Sequence, residues 1–132
     1  MTNKFPTWYE QPCTFHATVS AANSARDGTG TIATIASADA TGRGIGIDLI
    51  NITAGATTTA GMIRFFLNDG SAKKLRKEVA VTAVTPSATV PVFSTSYQPA
   101  TRMNLEPGWS LMASTENAEV FYVAADGGKY SR

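Results

Sequence analysis

Eight short segments rich in β-branched and aromatic residues follow one another along this chain, and turn-forming Gly, Pro, Asn and Asp residues separate them. The segments span residues 13–20, 30–37, 44–53, 61–67, 77–84, 89–95, 109–114 and 119–124. Short strands at nearly regular spacing are typical of a β-sandwich or a barrel. The sequence therefore predicts an all-β, single-domain β-sandwich of about eight short antiparallel strands, jelly-roll-like rather than immunoglobulin-like.

Length and charge narrow the classes of partner. The chain has 132 residues, which suits one compact core. Eleven basic and ten acidic residues leave a formal charge of +1, so no strong field draws the chain to nucleic acid or to an anionic membrane. Cys13 has no second cysteine to pair with, and no stretch of the sequence reaches the length of a membrane span. We expect a soluble domain made in a reducing cytoplasm, with protein surfaces as its partners.

The N-terminal segment differs from the rest because it combines aromatic residues with two prolines. The predicted organisation is an extended arm over residues 1–12, a sandwich domain over residues 13–126 and a C-terminal tail over residues 127–132. Pro6 and Pro12 lack a backbone donor and favour extended backbone in their neighbours. Phe5, Trp8 and Tyr9 are too apolar to remain in water, so we expect them to pack on this domain or, as the second choice, on a neighbouring protein.

Side-chain alternation predicts details of three strands. Ile45, Ile47 and Leu49 alternate with polar or small residues, but Ile50 and Ile52 then continue on the other parity, which indicates either a bulge or a strand buried on both faces. Residues 61–67 and 75–84 flank an Asn-Asp-Gly turn signal and are expected to form a hairpin.

The two last segments invite a similar prediction. Glu116 and Asn117 separate residues 109–114 from residues 119–124, as the turn of a terminal hairpin would. Upstream of them, Pro107 and Gly108 suit the central positions of a type II turn.

Candidate catalytic residues are few. A triad or a metal site would have to include His16, the one imidazole of the chain. Cys13 lies three residues away, on the opposite face of the same predicted strand, which disfavours a Cys–His pair. The glycines of residues 42–46 precede a strand rather than a helix, so close backbone approach or a bulge explains them better than phosphate binding. We predict no catalytic site, no cofactor and no metal; a small hydrolase built around His16 remains an alternative.

Four basic residues cluster before the fifth segment: Lys73, Lys74, Arg76 and Lys77. Such a run is most often a solvated hairpin loop, but it could also contact a capsid surface or follow a single-stranded nucleic acid. The predicted contacts with a capsid or with another protomer are Phe5, Trp8, Tyr9, Lys73, Lys74 and Arg76.

Several blocks of strand and turn carry a resemblance to a known family. They are Gly108-Trp109-Ser110-Leu111-Met112-Ala113-Ser114, residues 118–125 with Asp126-Gly127-Gly128-Lys129-Tyr130, Ile50-Asn51-Ile52-Thr53-Ala54-Gly55, and Ile63-Arg64-Phe65-Phe66-Leu67-Asn68-Asp69-Gly70. These blocks resemble small virion proteins of tailed bacteriophages, of the capsid decoration or cement type. The resemblance implies a non-catalytic protein, made in the host bacterial cytoplasm, that binds the major capsid protein on the outside of the head. It also implies a homo-oligomer, with a trimer favoured. A tail, baseplate or fibre module that binds protein or glycan is the alternative.

Overall fold

The computed structural model describes residues 9–130, which form nine β-strands and no helix. The strands are β1 (Gln11–Val19), β2 (Ala33–Ser37), β3 (Ile45–Ala54), β4 (Gly61–Asn68), β5 (Lys73–Val81), β6 (Ser94–Tyr97), β7 (Met103–Leu105), β8 (Ser110–Thr115) and β9 (Phe121–Lys129). In this part of the chain no helical segment has the length and hydropathy that a membrane crossing needs.

The described strands form two antiparallel sheets that pack face to face. Sheet 1 has the order β1-β9-β3-β6, with β7 also pairing with β3, and sheet 2 has the order β2-β8-β4-β5. The pairing is nested along the chain: β1 pairs with β9, β2 with β8, β3 with β6 and β7, and β4 with β5. A long hairpin folded over itself produces this order, which is the jelly-roll arrangement of a β-sandwich. The predicted all-β sandwich is confirmed.

The core lies between the two sheets, where their inward-facing side chains meet, and the middle of β4 and most of β8 are buried on both faces. Sheet 1 contributes mainly isoleucines and residues of β9, and sheet 2 contributes Ile63, Phe65 and Leu111. Phe93 and Phe121 meet edge to face, with ring centroids 6.4 Å apart. The sheets are therefore joined by apolar packing, as expected for a chain that cannot form an internal disulfide.

Several strand predictions are confirmed. The register of β3 against β9 shifts between Ile47 and Leu49, so Asp48 is the extra residue of the predicted bulge. β4 and β5 form the predicted hairpin. Gly108 has φ +86° and the Trp109 amide donates to the Glu106 carbonyl at 2.9 Å, as a type II turn requires.

The prediction of a terminal hairpin is wrong. β8 pairs with β2 and β4 in sheet 2, whereas β9 pairs with β1 and β3 in sheet 1, so Glu116 and Asn117 belong to a connection between sheets. The short strand β7 was not predicted. The basic run does not lie in a loop either, because Lys73 is the first residue of β5.

The strands at the two ends of sheet 1 extend past the bounds drawn from the sequence. β1 begins at Gln11, within the predicted arm, and β9 continues to Lys129, within the predicted tail. The two strands pair along their whole length, from Gln11 opposite Lys129 to Val19 opposite Phe121. The arm and the tail therefore meet at one end of sheet 1.

Candidate interaction surfaces

Tyr9 lies on the outer face of sheet 1, over two glycines that oppose each other on β3 and β9. A Cβ atom on Gly46 would come within 2.8 Å of the Tyr9 hydroxyl, and a Cβ on Gly128 within 2.5 Å of Tyr9 Cγ. Glycine is therefore required at both positions for the ring to approach the sheet this closely. Tyr9 packs on its own domain, whereas Phe5 and Trp8 lie outside the described residues.

Polar groups hold the Tyr9 ring in place. The Tyr9 hydroxyl donates to Asp48 Oδ2 at 2.7 Å, and Arg102 Nε donates to Asp48 Oδ1 at 2.8 Å. The Arg102 guanidinium lies 4.3 Å from the centroid of the Tyr9 ring, and the Tyr130 ring lies 5.3 Å from it. We call Tyr9, Gly46, Asp48, Arg102, Gly128 and Tyr130 the arm clasp. Asp48 lies at the bulge of β3 and follows the inward-facing Ile47, so its carboxylate is on the outer face, where both donors reach it.

The ionisable groups of the clasp stabilise one another. Burial and the bond to Asp48 raise the pKa of Tyr9 above its ordinary value. Burial acts to raise the pKa of Asp48, but the bonds from Arg102 and Tyr9 outweigh it, and this pKa is lowered. The bond to Asp48 raises the pKa of Arg102. Around neutral pH the clasp therefore contains a protonated phenol, a carboxylate and a guanidinium.

The rest of the outer face of sheet 1 is flat and carries mostly small polar side chains. Three rows cross the strands: Thr18, Tyr122, Thr53 and Ser94; His16, Ala124, Asn51 and Ser96; and Thr14, Asp126 and Leu49. Thr14 Oγ1 donates to Asp126 Oδ1 at 2.6 Å, and Asn51 Nδ2 donates to Asp126 Oδ2 at 3.4 Å. Tyr122 is 54% exposed, and its ring lies beside Gly55.

The outer face of sheet 2 is covered by the chain itself. Residues 20–32, which we call the strap, connect β1 to β2 and cross β8, β4 and β5. The Asn23 amide donates to the Thr115 carbonyl at 2.8 Å, and Gly28 lies against the backbone of Lys73. Phe66 points to this outer face and yet is 0% exposed. The strap therefore acts as a third layer over sheet 2.

Arg64 fastens the strap. Its side chain is 2% exposed and donates through Nε to Glu78 Oε2 at 2.8 Å and through Nη2 to Glu116 Oε1 at 2.7 Å. Arg26 on the strap donates to the same Glu78 oxygen at 2.7 Å. The bonds from Arg26 and then from Arg64 lower the pKa of Glu78. A buried cation bound by two carboxylates thus joins β4 to β5 and to the connection that follows β8, and the shared Glu78 links this network to Arg26 of the strap.

The predicted basic residues lie along β5, an edge strand of sheet 2. Lys74 and Arg76 are exposed, Lys73 is half-buried beneath the strap, and Lys77 Nζ lies 5.1 Å from the centroid of the Tyr97 ring. Tyr9 lies on the outer face of the other sheet, so the structure does not bring the basic residues and Tyr9 into one site. Lysines on an edge strand disfavour pairing with a foreign strand.

Cys13 does not form a catalytic pair with His16. His16 points outward from β1 and is exposed, whereas Cys13 is half-buried on the inner side of the strand, as the parity predicted. Within residues 9–130 no three His, Cys, Asp or Glu side chains are close enough to hold a metal ion. A groove of about 470 Å³ at the foot of the arm is lined by Glu10, Asp39, Arg43 and Lys129 among others, which mixes both signs of charge.

The sequence did not identify Asp48, Arg102 or Tyr130 as parts of an interaction surface. The signal that could have found the clasp is the pair of glycines within strands, because a glycine in a strand interior often marks the close approach of another group. The sequence could not single out Tyr122. Alternation shows that successive side chains of a strand point to opposite faces, but it does not show whether the outer face is covered by other parts of the chain.

Comparison with known proteins finds matches among solved structures only. No family model and no curated protein matches the chain. Two crystal structures of a pentameric capsid protein isolated from metagenomic phage sequences match it, and the second was solved by iodide SAD phasing. Each match has 21% sequence identity and covers 90% of this chain, and the TM-scores are 0.42 and 0.43. The chain spans 66% and 68% of the length of those proteins. A likeness at this level does not assign a function.

Proposed function

We propose that this chain is a non-catalytic structural protein of a phage virion, which binds the major capsid protein on the outer surface of the head and stabilises the shell as a decoration, or cement, protein. The resemblance of its strand and turn blocks to such proteins supports the proposal, and so does the compact jelly-roll domain. The same resemblance favours a homotrimer. In this role the protein acts through surfaces rather than through a reaction.

The observation that carries the proposal is the arm clasp. Tyr9 is fixed to sheet 1 by a glycine floor, a hydrogen bond to Asp48 and the Arg102 guanidinium. The clasp therefore sets the point of the surface at which residues 1–8 join the domain. A binding segment with a fixed base loses less conformational freedom on docking than one with a mobile base. Residues 1–8 carry Phe5 and Trp8, which are suited to filling apolar pockets on a shell subunit.

The edge strand β5 supplies a second contact in this proposal. Lys74 and Arg76 are exposed on it, and two cations on a short strand complement an acidic surface. An oligomer would present several arms and several basic edges at once, and simultaneous contacts raise the overall affinity well above that of each contact. Tight binding to a shell then needs no large interface per chain.

The first test is the number of copies of this chain relative to the major shell protein in purified particles. A ratio near one supports a decoration protein. A handful of copies per particle favours the alternative, a tail, baseplate or fibre module, and absence from the particle rejects both.

A second test uses shells stripped of this chain and measures binding by co-sedimentation. Deleting residues 1–8 removes Phe5 and Trp8, so we expect at least a tenfold loss of binding. The melting temperature should not change, because the deletion leaves Tyr9 and the clasp in place. Full binding after this deletion would remove the arm from the account.

The basic edge has its own variant in that assay. Replacing Lys74 and Arg76 together by Glu should weaken binding and reduce its dependence on salt. Arg43→Glu is the control for each single change, Lys74→Glu and Arg76→Glu, because Arg43 is an exposed cation on the loop between β2 and β3 and all three variants alter the net charge by the same amount. Equal losses in the three single variants would show a general effect of charge instead of a contact through β5.

A further inference from the structure

The edges of the two sheets are protected to different degrees. β5 carries four basic residues and a register shift next to Phe66, and β2 has five residues and a shift between Thr34 and Ala36. β6 and β7 have only four and three residues. β1 has nine residues, pairs with β9 without a shift, and contains no Asp, Glu, Lys or Arg. Charges, bulges and shortness stop an edge strand from pairing with another chain, so β1 is the unprotected edge among the strands that the structure describes.

The bonds at the two ends of β9 show where the backbone groups of β1 point. The Tyr130 amide donates to the Gly44 carbonyl at 3.1 Å, and the Gly55 amide donates to the Val120 carbonyl at 2.9 Å. Even-numbered residues of β9 therefore bond to β3, and odd-numbered residues bond to β1, where their partners are odd-numbered as well. The even-numbered residues of β1 direct their amide and carbonyl groups away from β9, to the open edge. They are Pro12, Thr14, His16 and Thr18.

These edge groups lack a partner within residues 9–130. No strand or loop of that range bonds to their backbone, and the side chains of the same four residues are exposed. Three amides and four carbonyls are thus available to one more strand. The array ends at Pro12, which lacks an amide hydrogen.

We propose that β1 pairs with β1 of a second copy of this chain, antiparallel and about a two-fold axis. The register that pairs all nine residues puts this axis beside Phe15, the middle of the strand. Thr14 and His16 then exchange hydrogen bonds with His16 and Thr14 of the second copy. The Thr18 amide donates to the Pro12 carbonyl, which brings the total to about six bonds. Sheet 1 continues from one copy into the other, and the symmetric contact closes the open edge of both.

Charge favours a second copy as the partner strand. No Asp, Glu, Lys or Arg occurs between Glu10 and Arg26, so two β1 strands meet without repulsion. Two copies of β5 would instead bring rows of cations together. The chain thus permits self-pairing at one edge and opposes it at the other.

The side chains of β1 match one another in this register. Cys13, Phe15 and Ala17 point to the core side but are only half-buried, since β1 lies at the open side of the sandwich. The axis sets Phe15 beside Phe15 of the second copy, and Cys13 beside Ala17. These pairs are not hydrogen-bonded, and side chains approach most closely in such pairs, so the apolar residues cover one another. On the outer face Thr14 lies beside His16, which places polar against polar.

The contact is narrow. Nine residues span about 31 Å, and packed sheets lie about 10 Å apart, so each copy contributes roughly 300 Å². This is less than a standard interface, and we expect reversible pairing with a dissociation constant of roughly 10–100 μM. Two chains held next to each other on one surface would pair far more completely.

This contact deepens the oligomer of the proposed function but does not rest on the virion role, because it is argued from β1 alone. A two-fold pair and a trimer require different surfaces. Shell binding is measured separately, so failure of the pairing and failure of the virion role are distinguishable.

Disulfide crosslinking of the full chain tests the register. Within one chain the Cα atoms of positions 13 and 17 are about 14 Å apart, too far for a disulfide, whereas the proposed pair sets them opposite each other. We expect Ala17→Cys, at about 100 μM and oxidised with copper phenanthroline, to give a covalent dimer joined between positions 13 and 17. In the original chain, and in Ala17→Cys combined with Cys13→Ala, the like cysteines of the two copies stay about 14 Å apart. Each of these controls should give less than about a fifth of the dimer.

A charge variant tests the same contact without crosslinking. His16→Lys places two cations diagonally across the axis, about 7–8 Å apart, so it should weaken pairing at least fivefold in sedimentation equilibrium at low salt under reducing conditions. Thr18→Lys is the matched control on the same strand and face. It changes the charge equally, but its two cations lie about 20 Å apart, so we expect less than a twofold effect. Melting curves confirm that each variant is folded.

The outcomes separate cleanly. A disulfide dimer confined to Ala17→Cys, with the stronger effect in His16→Lys, identifies pairing through β1. Equal crosslinking in all three chains, no crosslinking in Ala17→Cys, or a chain that is monomeric at about 500 μM overturns the proposal. So does an oligomer, trimer included, that is unchanged by His16→Lys, and in that case the virion role still stands on its own tests.

Discussion

The buried Arg64 offers the most quantitative test of how the strap is held. Arg64→Met keeps a long apolar side chain beneath the strap but removes the charge and three hydrogen bonds, to Glu78, to Glu116 and, at 3.5 Å, to the Asn23 carbonyl of the strap. Deleting one partner of a buried ion pair costs about 3–5 kcal/mol when the other partner stays buried and uncompensated. Here Glu78 and Glu116 are 28% and 31% exposed, so water can reach both carboxylates once the guanidinium is gone. We therefore expect a smaller loss, about 2–4 kcal/mol of the free energy of unfolding.

A loss of this size is readily measured. For a chain of this length it lowers the melting temperature by roughly 10 °C. Urea titration followed by fluorescence gives the free energy, and the slope of the transition shows whether folding remains two-state. Arg26→Met is the matched control because Arg26 bonds the same Glu78 oxygen but is 60% exposed, and exposed pairs contribute less than about 1 kcal/mol.

A triple variant tests whether the loss comes from the unpaired carboxylates. Replacing Arg64 by Met together with Glu78→Gln and Glu116→Gln should recover part of the loss, because neither carboxylate is then left without the guanidinium. Arg26 loses its partner Glu78 in this variant, but it is 60% exposed and remains solvated. If Arg64→Met costs less than about 1 kcal/mol, or if Arg26→Met costs as much, burial does not govern the strength of this network and the account of the strap is wrong.

Three other predictions concern the fold and the clasp. Gly127→Ala should destabilise the domain by about 3 kcal/mol or more, because its Cβ would overlap the Gly46 carbonyl, while Gly70→Ala, at φ +93° in open space, should cost about 1 kcal/mol in the same urea titration. Because the pKa of Asp48 is lowered, its carboxylate stabilises the fold fully above pH about 4, and this stabilisation is lost as the pH falls through the lowered pKa. Because the pKa of Tyr9 is raised, its phenol stabilises the fold fully below pH about 10, and this stabilisation is lost as the pH rises through the raised pKa. Proteolysis at the arm, measured across pH, should therefore be slowest between these limits, and a flat profile would contradict the clasp. Lys77→Ala should change stability by less than about 1 kcal/mol, since its contact with the Tyr97 ring is exposed, and a loss of several kcal/mol would show that the two sheet edges depend on it.

The sequence predicted the sandwich because its signals are local. The parity of the apolar residues in β3 changes between Leu49 and Ile50, and the bulge lies close to that point, between Ile47 and Leu49. The Asn-Asp-Gly turn likewise sets the hairpin of β4 and β5.

The sequence predictions failed where contacts between residues far apart in the chain determine the structure. Every residue from Leu111 to Thr115 is buried in β8, because the strap covers one face and the core the other, so the strand gives no alternation by which to assign its sheet. Arg102 and Asp48 are 54 residues apart, and Arg64 and Glu116 are 52 residues apart. Contacts of such separation depend on the register of several strands at once. Charge alone made Lys73 to Lys77 resemble a loop, although edge strands commonly carry lysine.

The nested pairing of the strands also constrains when the domain can form. Sheet 1 cannot form completely before residues 121–129 have left the ribosome, because β9 lies between β1 and β3 and pairs with both. During synthesis the isoleucines of β3 and the aromatic residues of β4 must wait without their final neighbours, and a topology dominated by such distant pairs folds slowly. Charged β5 is the first hairpin partner to emerge after them, so it would limit aggregation of the nascent chain during this interval. Cells that make the protein in quantity are expected to need chaperone capacity in proportion to its rate of synthesis.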